Sequence, residues 1–168
     1  LVPGGYTYDL SAGGGEVNLG VSYNGLAFWN GGDGTWDAST TNWTNFDSSL
    51  SSAWPPAGTA VFRDTAHTIT VSGTQAITGL QFTTDTSLTG GDLDFGVGGA
   101  ELRVDDGVLA IVETPLSGDG GIVKSGGGTL RLATTNTFTG TVGINSGTLE
   151  VAADTAFGDA ANDIVFAD

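Results

Sequence analysis

The side chains that could do chemistry in this sequence are four tryptophans, two pairs of aspartates and one histidine. Trp29, Trp36 and Trp43 recur every seven residues, and Trp54 follows. Exposed indoles stack on flat apolar faces such as sugar rings, so these four are the candidate ligand-binding residues. The alternative is that they plug the open end of a stack of strands. A helical heptad is disfavoured, because Gly31, Gly32 and Gly34 interrupt it. Asp92 and Asp94 share one face of an alternating segment, and Asp105 and Asp106 fall together in a turn. Carboxylates grouped this way supply the oxygen ligands of Ca2+, which makes them the candidate metal residues and Ca2+ the one candidate cofactor. A carboxylate pair could also act as a glycosidase acid and base. The plainer reading is solvated surface charge. His67 has Asp64 and Ser72 near it in sequence but no nucleophile elbow, and one His without any Cys makes a zinc site doubtful. No catalytic residue is assigned, and an enzyme is not expected.

Charge narrows the partners. The chain of 168 residues carries 19 acidic and 4 basic side chains, a net charge of −15. Nucleic acid needs a basic patch that four dispersed cations can hardly form, and an anionic membrane surface is disfavoured for the same reason. With no Cys, disulfides, thiolate metal sites and Cys nucleophiles are excluded. No run of 18 apolar residues is present, so no membrane-spanning helix is expected. The lack of Met and of a signal peptide at Leu1 points to a processed product or a fragment.

The elements that must position these residues are strands. Gly is abundant, at 29 residues, and sustained helical periodicity is absent. Period-two segments run through the chain: Ile69 with Val71, Leu80 with Phe82, Leu93 with Phe95, Leu102 with Val104, Leu109 with Ile111, Leu130 with Leu132, and Leu149 with Val151. Leu109, Leu130 and Leu149 are separated by 21 and 19 residues, and Ile111, Leu132 and Val151 keep the same intervals. A period near 20 with short strands predicts stacked coils about 4.8 Å apart. Leu109, Leu130 and Leu149 would then form one apolar column, with Arg131 between Ala110 and Glu150. Gly79, Gly107, Gly128 and Gly147 would turn the corners before strands. The predicted fold is all-β: a right-handed parallel β-helix, the hand following from the rule for parallel crossovers. An N-terminal Trp-rich cap would occupy 1–58 and the coils 59–168. A β-sandwich is the alternative, but it does not require self-similarity at this spacing.

The stretch 120–158, "GGIVKSGGGTLRLATTNTFTGTVGINSGTLEVAADTAFG", resembles the autotransporter-associated β-strand repeat of secreted passenger regions in Gram-negative bacteria. The resemblance is carried by Lys124, Ser125, Gly126 and Gly128, by Leu130 and Leu132, by Asn136-Thr137-Phe138-Thr139-Gly140, and by Ile144, Asn145, Gly147, Thr148 and Leu149. Gly143 departs from it, standing where a β-prone residue is expected. The segments "FWNGGDGTWDASTTNWTN" and "GTAVFRDTAHTITVSGTQAITGLQF" are similar to what commonly precedes such repeats. The resemblance implies a β-helical stalk exported through the outer membrane to the cell surface, with an outer-membrane barrel elsewhere in the parent chain. The function expected is a non-enzymatic passenger segment that mediates adhesion or presents a binding surface to a glycan or protein ligand. The alternatives are a carbohydrate-binding or carbohydrate-active β-helix, and a self-associating module joined through Ile164 to Phe166.

Overall fold

The structure is a computed structural model that describes residues 6–13, 16–23, 25–55 and 57–167. Nineteen short strands and one 3-10 turn make up the described chain. Strands β1 (Tyr6–Gly13) and β2 (Glu16–Tyr23) form a separate antiparallel hairpin. The remaining strands, apart from two short antiparallel ones near the start, wind as a parallel stack. Its first rung is β3 (Leu26–Trp29) and β4 (Gly34–Trp36), followed by two short strands, β5 (Trp43–Thr44) and β6 (Ser51–Ser52). Next come β7 (Gly58–Phe62), β8 (His67–Val71) and the long β9 (Thr74–Phe82), then β10 (Thr86–Thr89) and β11 (Asp92–Asp94). The succeeding coils are β12 (Ala100–Val104), β13 (Leu109–Val112) and β14 (Leu116–Ser117), then β15 (Ile122–Ser125) and β16 (Thr129–Leu132). The last are β17 (Val142–Ile144), β18 (Thr148–Val151), the 3-10 turn Asp154–Phe157 and β19 (Ile164–Phe166).

Two main sheets result. One runs β4-β8-β10-β13-β16-β18, all parallel; the other runs β3-β7-β9-β12-β15-β17-β19, with β5 and β6 added antiparallel beyond β3. A third, short sheet joins the start of β9 to β11 and β14. Parallel stacking already includes β3 on β7 and β4 on β8, so the expected boundary at 58/59 falls inside the stack. Gly79 lies within β9 rather than at its start. It sits where the strand leaves one sheet for the next, and a Cβ there would come 2.9 Å from the Glu101 carbonyl oxygen.

Alternation decides what is inside. Ile69, Leu88, Val112 and Leu132 form one buried column, continued by Val151; Phe62 and Phe82 stack face to face at 5.2 Å, followed by Val104. The expected register holds for β16 on β18, where Leu130 faces Leu149 and Arg131 faces Glu150. It fails by one residue at β13. Leu130 stacks on Ala110, Leu132 on Val112, and Arg131 on Ile111, while Leu109 is 40% exposed. The cause is continuous alternation from Val108 through Ala110, Val112, Thr114 and Leu116, all inward or packed against the core. A slip of one residue swaps the two faces, so a strand obeys its longest consistent pattern rather than its largest side chains.

The corners carry a second regularity. Asp33 accepts the amide of Thr68 at 2.7 Å, Asp85 that of Leu109 at 2.8 Å, and Asp106 that of Gly127 at 3.0 Å. Each carboxylate therefore satisfies a backbone donor of a following coil, which an uncapped turn would leave to water. Part of the acidity is built into the stacking.

Candidate functional site

The tryptophans converge because successive short strands of the first rung each deliver one indole inward. Trp29 ends β3, Trp36 ends β4 and Trp43 begins β5, which explains the seven-residue spacing. Trp36, Trp43 and Trp54 lie within 4.5–4.8 Å of one another, centroid to centroid, and Trp29 meets Trp43 edge-on at 5.2 Å. Trp29 and Trp54 donate their indole N–H groups to the carbonyls of Gly32 and Ala76, at 2.9 and 3.0 Å. All four rings are buried. This corrects the ligand-binding assignment of Trp29, Trp36, Trp43 and Trp54, because a ring packed on both faces offers no surface to a sugar. The apolar area of four indoles is used to fill the first rung.

The four aspartates are not brought into one site. Asp92 accepts the Ser117 hydroxyl at 2.8 Å and Asp94 accepts the Gly96 amide at 2.8 Å, both at the short third sheet. Asp105 is paired with Arg103 at 2.9 Å, which raises the arginine pKa, and Asp106 holds the amide of Gly127 in the corner of the following coil. Among the described residues no group of three or more His, Asp and Glu is placed to hold a metal ion. The carboxylates serve backbone amides, one hydroxyl and one guanidinium. His67 points inward: it is 4% exposed, and Nε2 lies 2.9 Å from the Arg63 carbonyl oxygen.

What remains outside is a set of flat ladders. Thr35, Thr70 and Thr89 stand in one outward column, and Thr68 and Ser87 in the next. Further along the same sheet the second column turns to Ile111, Arg131 and Glu150. A shallow groove of about 350 Å³ crosses the other sheet, floored by Gly98, Gly99, Gly120 and Gly121 and flanked by Glu101 and Val123. The loop between β5 and β6 presents Phe46 at 60% and Leu50 at 47% exposure. That loop is firmly held. Thr44 donates to the Leu50 carbonyl at 2.6 Å, and Asn45 accepts the Leu50 amide at 3.1 Å. Arg63 donates to the Phe46 carbonyl at 2.8 Å and to Ser48 at 3.0 Å, with its guanidinium 4.4 Å over the Phe28 ring. Its Nε lies 3.4 Å from Asp64 without a hydrogen bond, so the aromatic and backbone contacts position it.

Two residues of the repeat-like stretch act inside rather than outside. Asn136 is buried at a corner; its Oδ1 accepts the Leu116 amide at 2.8 Å and its Nδ2 donates to the Ala156 carbonyl at 2.6 Å. One side chain thus ties its own coil to the coils on both sides. Lys124 is also fully buried, in an inward column between Leu102 and Ile144. Sequence reasoning placed both in a motif but did not predict their burial, since polar residues in Gly-rich turns read as surface.

Residues 122–151 match the family described as Passenger-associated-transport-repeat, and the chain carries this autotransporter passenger repeat in a β-solenoid. The chain is also 35% identical over 150 residues to the "Adhesin BmaC autotransporter" of Brucella suis biovar 1 (strain 1330). That similarity covers 86% of this chain, which spans about 4% of the length of the relative. No solved structure matches the chain significantly.

Proposed function

We propose that this chain is a non-enzymatic segment of an autotransporter passenger, exported to the bacterial cell surface, where its outer faces serve adhesion. The observation that carries the reading is the 35% identity, extending over 86% of the chain, to a protein named as an adhesin. The outward ladders of Thr35, Thr70 and Thr89, and the held loop bearing Phe46 and Leu50, are broad and shallow, as suits contact with a large partner rather than a small substrate. The ligand is a surface glycan or protein, and the parent chain is anchored by an outer-membrane barrel. Beads coated with the 168-residue chain test the reading: they should attach to cultured epithelial cells above albumin-coated beads, and attachment should fall when Phe46 and Leu50 are both changed to Ser. Equal attachment of the two bead types would overturn it.

A further inference from the structure

Lys124 breaks the rule of its own column. Ala60, Leu80 and Leu102 precede it on successive rungs, all buried and apolar, and Ile144 follows. An ammonium has three N–H donors and no acceptor, and a buried charge is costly unless those donors are met. Here they are met by backbone carbonyls alone. Lys124 Nζ donates to Ser125 at 2.8 Å, to Gly126 at 2.7 Å and to Ser146 at 3.1 Å. The first two acceptors belong to the lysine's own corner. The third belongs to the corner between β17 and β18, one coil later. Gly147 leaves room for this approach, since a Cβ there would come 2.8 Å from Nζ. The backbone pairing runs the same way, with Asn145 donating its amide to the Lys124 carbonyl at 2.9 Å.

We propose that Lys124 is a closure latch: the coil of β15 and β16 completes its interior only when the coil of β17 and β18 arrives and supplies the Ser146 carbonyl. Without that coil, the third N–H finds only water, the ammonium stays at the open end, and the corner 125–128 remains wet. With it, the charge is sealed and two coils close as one unit. An apolar residue such as Leu102 imposes no such condition, because it can be covered by any neighbour of adequate size. The latch makes the addition of these two coils a coupled step within an otherwise coil-by-coil stack. Burial also pushes the Lys124 ammonium below its usual pKa.

The test uses the whole chain. In pulse-labelling hydrogen exchange during refolding, amides of 122–132 should gain protection together with those of 142–151, and at least tenfold more slowly than those of 100–112. In Lys124→Met, 122–132 should become protected ahead of 142–151. Native-state exchange of 142–151 should accelerate at least tenfold in that variant, with 100–112 changed less than threefold. Wild-type protection of 122–132 in step with 100–112 and well before 142–151 would overturn the latch, and this measurement stands even if the variant fails to fold. An equal acceleration of both flanking coils in Lys124→Met, or none in either, would also overturn it.

Discussion

Replacing Asn136 by Leu should cost this molecule several kcal/mol, and the structure says where the cost arises. Two bonds bridge the same pair of coils side by side. Thr135 and Thr155 join their hydroxyls at 3.0 Å on the exposed face, and Asn136 reaches the Ala156 carbonyl at 2.6 Å in the interior. Water replaces the first when it is broken. It does not replace the second, because Leu116 and Ala156 are both buried. Asn136→Leu keeps the branching and the heavy-atom count of the side chain but strands the Leu116 amide and the Ala156 carbonyl. Each unsatisfied buried group costs about 1–3 kcal/mol, so the loss is about 2–6 kcal/mol. Thr135→Ala should stay within about 0.5 kcal/mol. Urea denaturation followed by far-ultraviolet circular dichroism measures both, the comparison being the midpoint shift at constant slope. If Asn136→Leu unfolds within about 1 kcal/mol of Thr135→Ala, burial does not decide the worth of these bonds and the reasoning fails.

Three further outcomes follow from geometry already described. Gly143→Val should raise stability by about 0.5–1 kcal/mol, because a Cβ there meets Val123 at an ordinary 3.5 Å and fills the outward column between Val123 and Val165; a lower denaturation midpoint would contradict this. Trp36→Ala should cost about 3–5 kcal/mol and disturb the near-ultraviolet signal of the indole cluster, and a change below 1 kcal/mol would show that the rings are not packed as described. Asp37 receives the Thr40 hydroxyl and amide and the Ser39 amide and hydroxyl, which hold its pKa well below the ordinary carboxylate range. A depressed folded-state pKa gives stability that is present above about pH 4 and is lost as the pH falls through the folded value. Wild type should therefore melt above Asp37→Asn at pH 7, with the gap shrinking in acid; a gap that widens below pH 4 would reverse the sign.

Much of the stack was legible in the sequence, because a solenoid writes its register into the chain as repetition. Leu130 over Leu149 and Arg131 over Glu150 could be read from two matching hexapeptides. The slip at β13 could not be read from its largest residues. Leu109 and Ile111 outweigh Ala110 in hydrophobicity, yet the alternation through Thr114 and Leu116 decides the face. The tryptophans were visible as a set, and their use as core depended on the antiparallel return of β5 beside β3, which no period announces. Lys124 and Asn136 were recognised as motif positions only. Their inward direction is set by strand parity and by carbonyls brought from other coils, and a one-dimensional reading cannot supply those partners.

The corner aspartates have a consequence for how such a molecule can change length. Asp33, Asp85 and Asp106 each grip an amide 21 to 35 residues later in the chain, and never one further than a neighbouring rung. These bonds therefore do not skip coils. A whole coil can be duplicated or deleted with every surviving bond still made between adjacent layers, while the insertion of one residue in a strand exchanges the faces of that strand, as the β13 register illustrates. The six rungs of the β4-to-β18 sheet place about 24 Å between its first and last strands at the usual spacing. Reach in this architecture is a quantity that evolution can count out in units of a coil, independently of what any one face displays.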